Sequence, residues 1–243
     1  MQGQRGTIRQ IMVITDGCSN VGSNPVDHAA RARRKGAVVN VIGILDDGDI
    51  GQQGRDEVLS IAEAGGGLCR LVSAIDVSAT AQMMTHQTMQ MTLQQVVNQE
   101  LLQVMGKTTQ ELPPQERAKV MQVVDKLEEE VTLQLVVAID TSASMRDKMP
   151  TVREAVRDLV FSLQARMGDS LVAVIAFPGD GEEMVRLVQP FDPQLQMTRL
   201  EEVFAARGGT PTGPAIEYAA HLLDELGHGA GSEDGPRSRS VSG

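Results

Sequence analysis

Tryptophan is absent from this sequence, tyrosine occurs once and phenylalanine four times. So sparse an aromatic set leaves little for nucleic-acid bases to stack on. Positive charge is also short: 22 Lys and Arg stand against 32 Asp and Glu, for a net charge of -10. Proteins that track phosphates gain affinity by neutralising them, so this balance argues against nucleic acid as a partner. Cys18 and Cys69 are the two cysteines. They are too few for a disulfide framework and read as reduced, cytoplasmic thiols. No apolar run approaches the roughly 20 residues that span a bilayer, and MQGQRGTIRQ at the start carries no signal-peptide core. The expectation is a cytoplasmic protein with no membrane partner.

What remains is a globular composition, 41% hydrophobic and 22% charged over 243 residues. That length buries a sizeable core. Residues 9 to 15 predict a buried strand that ends at Asp16, and Asn24-Pro25 then opens a helix running to Lys35-Gly36. AVVNVIGIL (37 to 45) is a second buried strand. A helix near 54 to 64, the breaker GGG at 65 to 67 and a short strand LCRLV follow. This alternation predicts a parallel sheet of the α/β class.

From about 77 to 130 the sequence is Gln- and Met-rich helix. Met89, Leu93, Val96, Val97, Glu100, Leu101 and Val104 recur at spacings of three and four, which predicts a largely apolar stripe. Gly106 ends that helix, and Pro113-Pro114 starts another. Strand character returns in LQLVVAI (133 to 139), which ends in Asp140. A helix from near Pro150 to Met167 leads to a hairpin of 171 to 177 with 184 to 191. A short helix at 197 to 206 precedes GGTPTGPAIEYAAHLLDEL. From Gly227 onward the chain reads as a mobile tail.

Two buried strands thus end in acids, Asp16 and Asp140, at the rim where parallel sheets deliver functional groups. In DTSAS, Ser142 and Ser144 alternate after Asp140, so both hydroxyls can face one point. Three oxygen donors in five residues suit Mg²⁺ or Mn²⁺, and no His or Cys cluster is present to select zinc. Taken alone, DTSAS is equally a capping sequence for the following helix.

DTSAS resembles the D-x-S-x-S motif of the von Willebrand factor A domain. GGTPTGPAI is similar to that family's threonine loop, with Thr210 at the matching position. VITDG is similar to its strand-end T-D-G, with Asp16. In the family the T-D-G aspartate comes last, whereas here it comes first, so the resemblance implies a circular permutation. Residues 133–226 would be the first half of the domain and 8–90 the second, with 91–130 as a helical connector and 227–243 as a disordered tail. The implied fold is a doubly wound, mostly parallel six-stranded sheet with one antiparallel edge strand. Over its whole length the chain resembles the YabS-type family of spore-forming bacteria, which implies a cytoplasmic, sporulation-linked setting.

By that resemblance Ser142, Ser144 and Thr210 would touch a Mg²⁺ or Mn²⁺ ion directly, and Asp140 and Asp16 directly or through water. The implied function is a non-enzymatic module that takes a Glu or Asp of a protein partner, as a monomer or a domain-swapped dimer. Two alternatives stand beside it. Helices 77–130 could serve as a metal-independent scaffold. A hydrolase could use Ser142 or Asp140 as nucleophile, although His28, His86, His221 and His228 lie in helices or the tail and supply no evident base. DDGDIG (46 to 51) reads as a polar turn. The tail's Ser238, Ser240 and Ser242 lie beside Arg237 and Arg239 and could be kinase substrates, although a solvated tail is the simpler reading.

Overall fold

A computed structural model describes residues 6–45, 52–194, 196–203 and 208–229. The turn at 46 to 51 and the serines of the tail lie outside these residues. In chain order the elements are β1 (Thr7–Thr15), α1 (Pro25–Arg34), β2 (Ala37–Leu45), α2 (Gln52–Ala64), β3 (Gly66–Ser73) and α3 (Val77–Met105). Then come α4 (Pro114–Glu130), β4 (Thr132–Asp140), α5 (Met149–Gln164), β5 (Ser170–Phe177), β6 (Arg186–Asp192), α6 (Met197–Glu201) and α7 (Thr212–Gly229). The chain stays helical through Gly229, three residues into the stretch expected to be tail.

The six strands form one sheet in the order β3-β2-β1-β4-β5-β6. Every pairing is parallel except that of β6, the antiparallel edge. β1 and β4 are central neighbours, with Ile14 opposite Ile139. Their carboxyl ends therefore share a rim. Successive residues of β1 face opposite sides, so Met12 and Ile14 pack in one apolar cluster and Ile11 and Val13 in another. Side chains of α3 and α5 complete the first cluster, and those of α1, α2 and α7 the second.

A polar layer lies beneath α3. Gln10 Nε2 donates to the Thr85 carbonyl at 3.2 Å, and Thr88 Oγ1 and the Leu68 amide both donate to Asn40 Oδ1, at 3.0 and 2.9 Å. These buried groups are paired, so they pin one level of α3 to the strands rather than weaken the core. Beyond that level the helix runs out of sheet: its 29 residues span about 44 Å, against about 30 Å for a nine-residue strand.

The predicted stripe on α3 is accordingly buried only in its first half. Met89 and Leu93 are in the core, but Val96 is half exposed and Val104 is 80% exposed. Gly106, at φ 66°, closes the helix in the left-handed conformation, and α4 returns alongside α3. The turn is held by Thr109, whose amide donates to Asn98 Oδ1 at 3.0 Å. α4 ends at the base of the sheet. There the Gly168 amide donates to the Glu129 carbonyl at 2.7 Å and Arg166 Nη2 to the Val131 carbonyl at 2.9 Å.

Candidate functional site

The register of β1 on β4 builds the site. With Ile14 opposite Ile139, the next residues, Thr15 and Asp140, meet at the rim, and Thr15 Oγ1 donates to Asp140 Oδ2 at 2.6 Å. The Ser142 amide donates to the other carboxylate oxygen at 2.8 Å. Asp140 has no exposed surface. Burial pushes its pKa up to about 6, against the opposing pull of the Thr15 and Ser142 hydrogen bonds, and the charge of Asp16 adds to the rise.

After Asp140 the chain makes one 3-10 turn, Ala143–Met145, before α5. Ser142 stands at the head of this turn, yet its hydroxyl makes no capping bond. It lies 3.1 Å from Ser144 Oγ, which donates to Asp16 Oδ1 at 2.8 Å. The capping explanation of DTSAS therefore does not account for the two hydroxyls. Asp16, 128 residues from Ser144 in sequence, is brought to the same point.

Thr210 belongs to the adjoining loop. Its amide donates to Asn20 Oδ1 at 2.7 Å, and its carbonyl accepts from the Asn20 amide and from Ser19 Oγ, each at 3.2 Å. The loops are so close that a Cβ on Gly209 would lie 2.3 Å from Asn20 Oδ1 and one on Gly213 2.0 Å from the Ser23 carbonyl. Glycine is what lets the threonine loop lie against the segment after Asp16. Glu57 of α2 supports that segment by accepting from the Ser19 amide at 3.1 Å. Burial raises the Glu57 pKa, and burial together with the Glu57 charge raises that of the Cys18 thiol. Cys18 is thus no activated nucleophile.

Lys148 is the residue that sequence reasoning missed. Its Nζ lies 2.5 Å from Asp16 Oδ2 and 3.1 Å from the Ser144 carbonyl, and its side chain is 7% exposed. The available signal was weak, a lysine one helical turn beyond Ser144, where a solvated side chain is the ordinary outcome. None of the histidines with described side chains hydrogen-bonds the site: His28 pairs with Ser23, His86 with Glu128 and His221 with Glu225.

Chemically the rim presents hydroxyls and two carboxylates. Among the described residues no cluster of three or more His, Cys, Asp or Glu side chains is arranged to hold a metal. An ion here would rest on Asp140, Asp16, Ser142 and Ser144, with Thr210 in the neighbouring loop. Such a donor set suits a hard cation and offers nothing to zinc.

Residues 135–233 match the family model of the von Willebrand factor type A domain. That stretch carries Asp140, Ser142, Ser144 and Thr210, and Asp16 lies outside it. The chain is 48% identical to YabS of Bacillus subtilis over 224 residues, which cover 91% of each protein. It is also similar to the crystal structure of an uncharacterized protein from Alicyclobacillus acidocaldarius. That similarity is 67% in sequence with a TM-score of 0.89, covering 92% of this chain and 97% of the other.

Proposed function

The chain belongs to the YabS-type von Willebrand factor type A family, and from that premise we propose that it is a non-enzymatic, metal-dependent protein-interaction module. The observation that carries this reading is the convergence of Asp16 on Asp140, Ser142 and Ser144 across the β1–β4 pairing. Asp140 and Asp16, with Ser142, Ser144 and Thr210, would hold Mg²⁺ or Mn²⁺. The bound ion would supply an open position that attracts a carboxylate. The chain's own part is to keep these oxygens together: Thr15 and the Ser142 amide fix the Asp140 carboxylate, and the Asn20 side chain fixes the Thr210 loop. A Glu or Asp of a protein partner is the expected occupant. The cytoplasmic, sporulation-linked setting belongs to the same proposal. No helix among the described residues is long and apolar enough to cross a membrane.

Thermal unfolding with and without millimolar Mg²⁺ tests the reading, because an ion that binds only the folded state raises its stability in proportion to occupancy. The midpoint is expected to rise in the parent and to stay put in Ser144→Ala, whose side chain stands at the exposed edge of the site. Partner capture from cell extract is expected to be lost in EDTA. A parent midpoint that ignores Mg²⁺, with capture unaffected by EDTA, would favour a second reading. In that reading the end of α3 docks a partner without metal, as the exposure of Leu102, Val104 and Met105 suggests.

A further inference from the structure

Lysine is almost never fully buried unless it is paired, and Lys148 is paired at the heart of the candidate metal site. Asp16 is the more deeply withdrawn partner, its side chain 2% exposed. One of its oxygens accepts from Lys148 and the other from Ser144 Oγ. The same ammonium reaches the Ser144 carbonyl, so Lys148 spans the two residues a bound ion would draw on. A divalent ion sharing Asp16 would lie within a few ångströms of Nζ, where like charges in a poorly hydrated site repel strongly. Each cation therefore weakens the other's hold on the one carboxylate. The backbone of Lys148 is fixed on either side: its amide donates to the Met145 carbonyl at 3.0 Å and its carbonyl accepts from Val152 at 3.0 Å. Only the side chain has freedom to leave.

We propose that Lys148 is the site's own counter-ion: its ammonium holds Asp16 when no metal is bound, and metal binding is an exchange in which the lysine side chain swings away. This rests on the metal reading above and adds to it a competitor built into the chain. The competition lowers apparent metal affinity, because each binding event must first break the Lys148–Asp16 pair. It also gives the metal-free rim a defined structure, since neither carboxylate waits unpaired. Occupancy thereby becomes visible from outside, as a lysine that is covered without metal and exposed with it.

Lys148→Met keeps most of the stem and removes the charge, and calorimetric titration with Mg²⁺ and Mn²⁺ reads the effect. Exchange predicts binding at least about tenfold tighter than in the parent. In EDTA it predicts a melting temperature lower by about 5 °C, because Asp16 is left buried without its cation. Lys148→Arg keeps the charge and should show no gain in affinity. Should the methionine variant fold poorly, amine labelling of the parent followed by mass spectrometry gives a second readout. Lys148 is then expected to label slowly in EDTA and faster in Mg²⁺. Parent and Lys148→Met binding metal equally, or the variant more weakly, would overturn the exchange while leaving the metal reading intact. If neither protein binds metal, both ideas fall. Binding by the variant alone supports the exchange and removes only the claim that the parent is loaded at that concentration.

Discussion

At the carboxyl rim of the sheet Asp140, Asp16 and Lys148 are charged groups withdrawn from water, whereas at the far end of α3 Val104 and Met105 are apolar groups left in it. The rim residues are held from several directions at once: Asp140 by Thr15 and Ser142, Asp16 by Ser144 and Lys148. The end of α3 lies past the level where Gln10 and Asn40 tie the helix to the sheet. A change at the rim therefore strands a partner in a dry place, while a change at the helix end alters only its own hydration.

The largest expected effect follows from breaking the Lys148–Asp16 pair. Asp16→Ala removes a buried acceptor of the Lys148 ammonium, and denaturant unfolding in EDTA should show a loss of about 3–5 kcal/mol. A loss under about 1 kcal/mol, the value of a surface pair, would mean that the rim is far wetter than described.

A smaller effect comes from Asp140. Its folded pKa of about 6 lies above the ordinary 3.8, so between those values the folded state holds a proton that the unfolded state has released. This group's contribution is fully present below about pH 4 and is lost as pH rises through about 6. It amounts to about 3 kcal/mol at most. Asp140→Asn should flatten the stability profile of the metal-free protein across that window. With Mg²⁺ present the stabilisation by metal should instead grow as pH rises, because the ion binds the carboxylate form. Profiles of parent and variant that coincide in EDTA would show that Asp140 titrates at its ordinary value.

The smallest effect is expected at the other pole, where Val104→Ser and Met105→Ser should each change stability by no more than about 0.5 kcal/mol. A larger loss would reveal that these side chains are covered in solution, which sedimentation of the parent over a range of concentrations would detect as self-association.

Much of this architecture was legible because strands and helices write their periods into sequence. LQLVVAI and QIMVIT read as buried strands, each running to an acid at the rim, and both lie in the sheet with carboxyl ends together. The approach of Asp16 to Asp140 was legible only through motif resemblance, since nothing local joins residues so far apart. Lys148 was not legible, because its burial depends on Asp16 arriving from another strand. The bare end of α3 was missed for a related reason: periodicity reports which residues share a face, but not how far the sheet beneath them extends.

The pairing of β1 with β4 also places the central seam among the contacts that the general cost of loop closure delays. Thr15 and Asp140 are 125 residues apart, whereas α3 and α4 meet through a short local turn. Contacts of high sequence separation pay a larger loop-closure entropy before they return any stabilisation, so local units tend to form ahead of them. On that principle the seam between β1 and β4, and the helices that pack across it, would close late. Until that seam closes, the oxygens of Asp16 and Asp140 are on unconnected half-sheets, and a nascent chain has no rim to capture an ion or a partner's carboxylate. An ion at the proposed metal site would select molecules in which both halves have already joined, and its binding would report on completed folding.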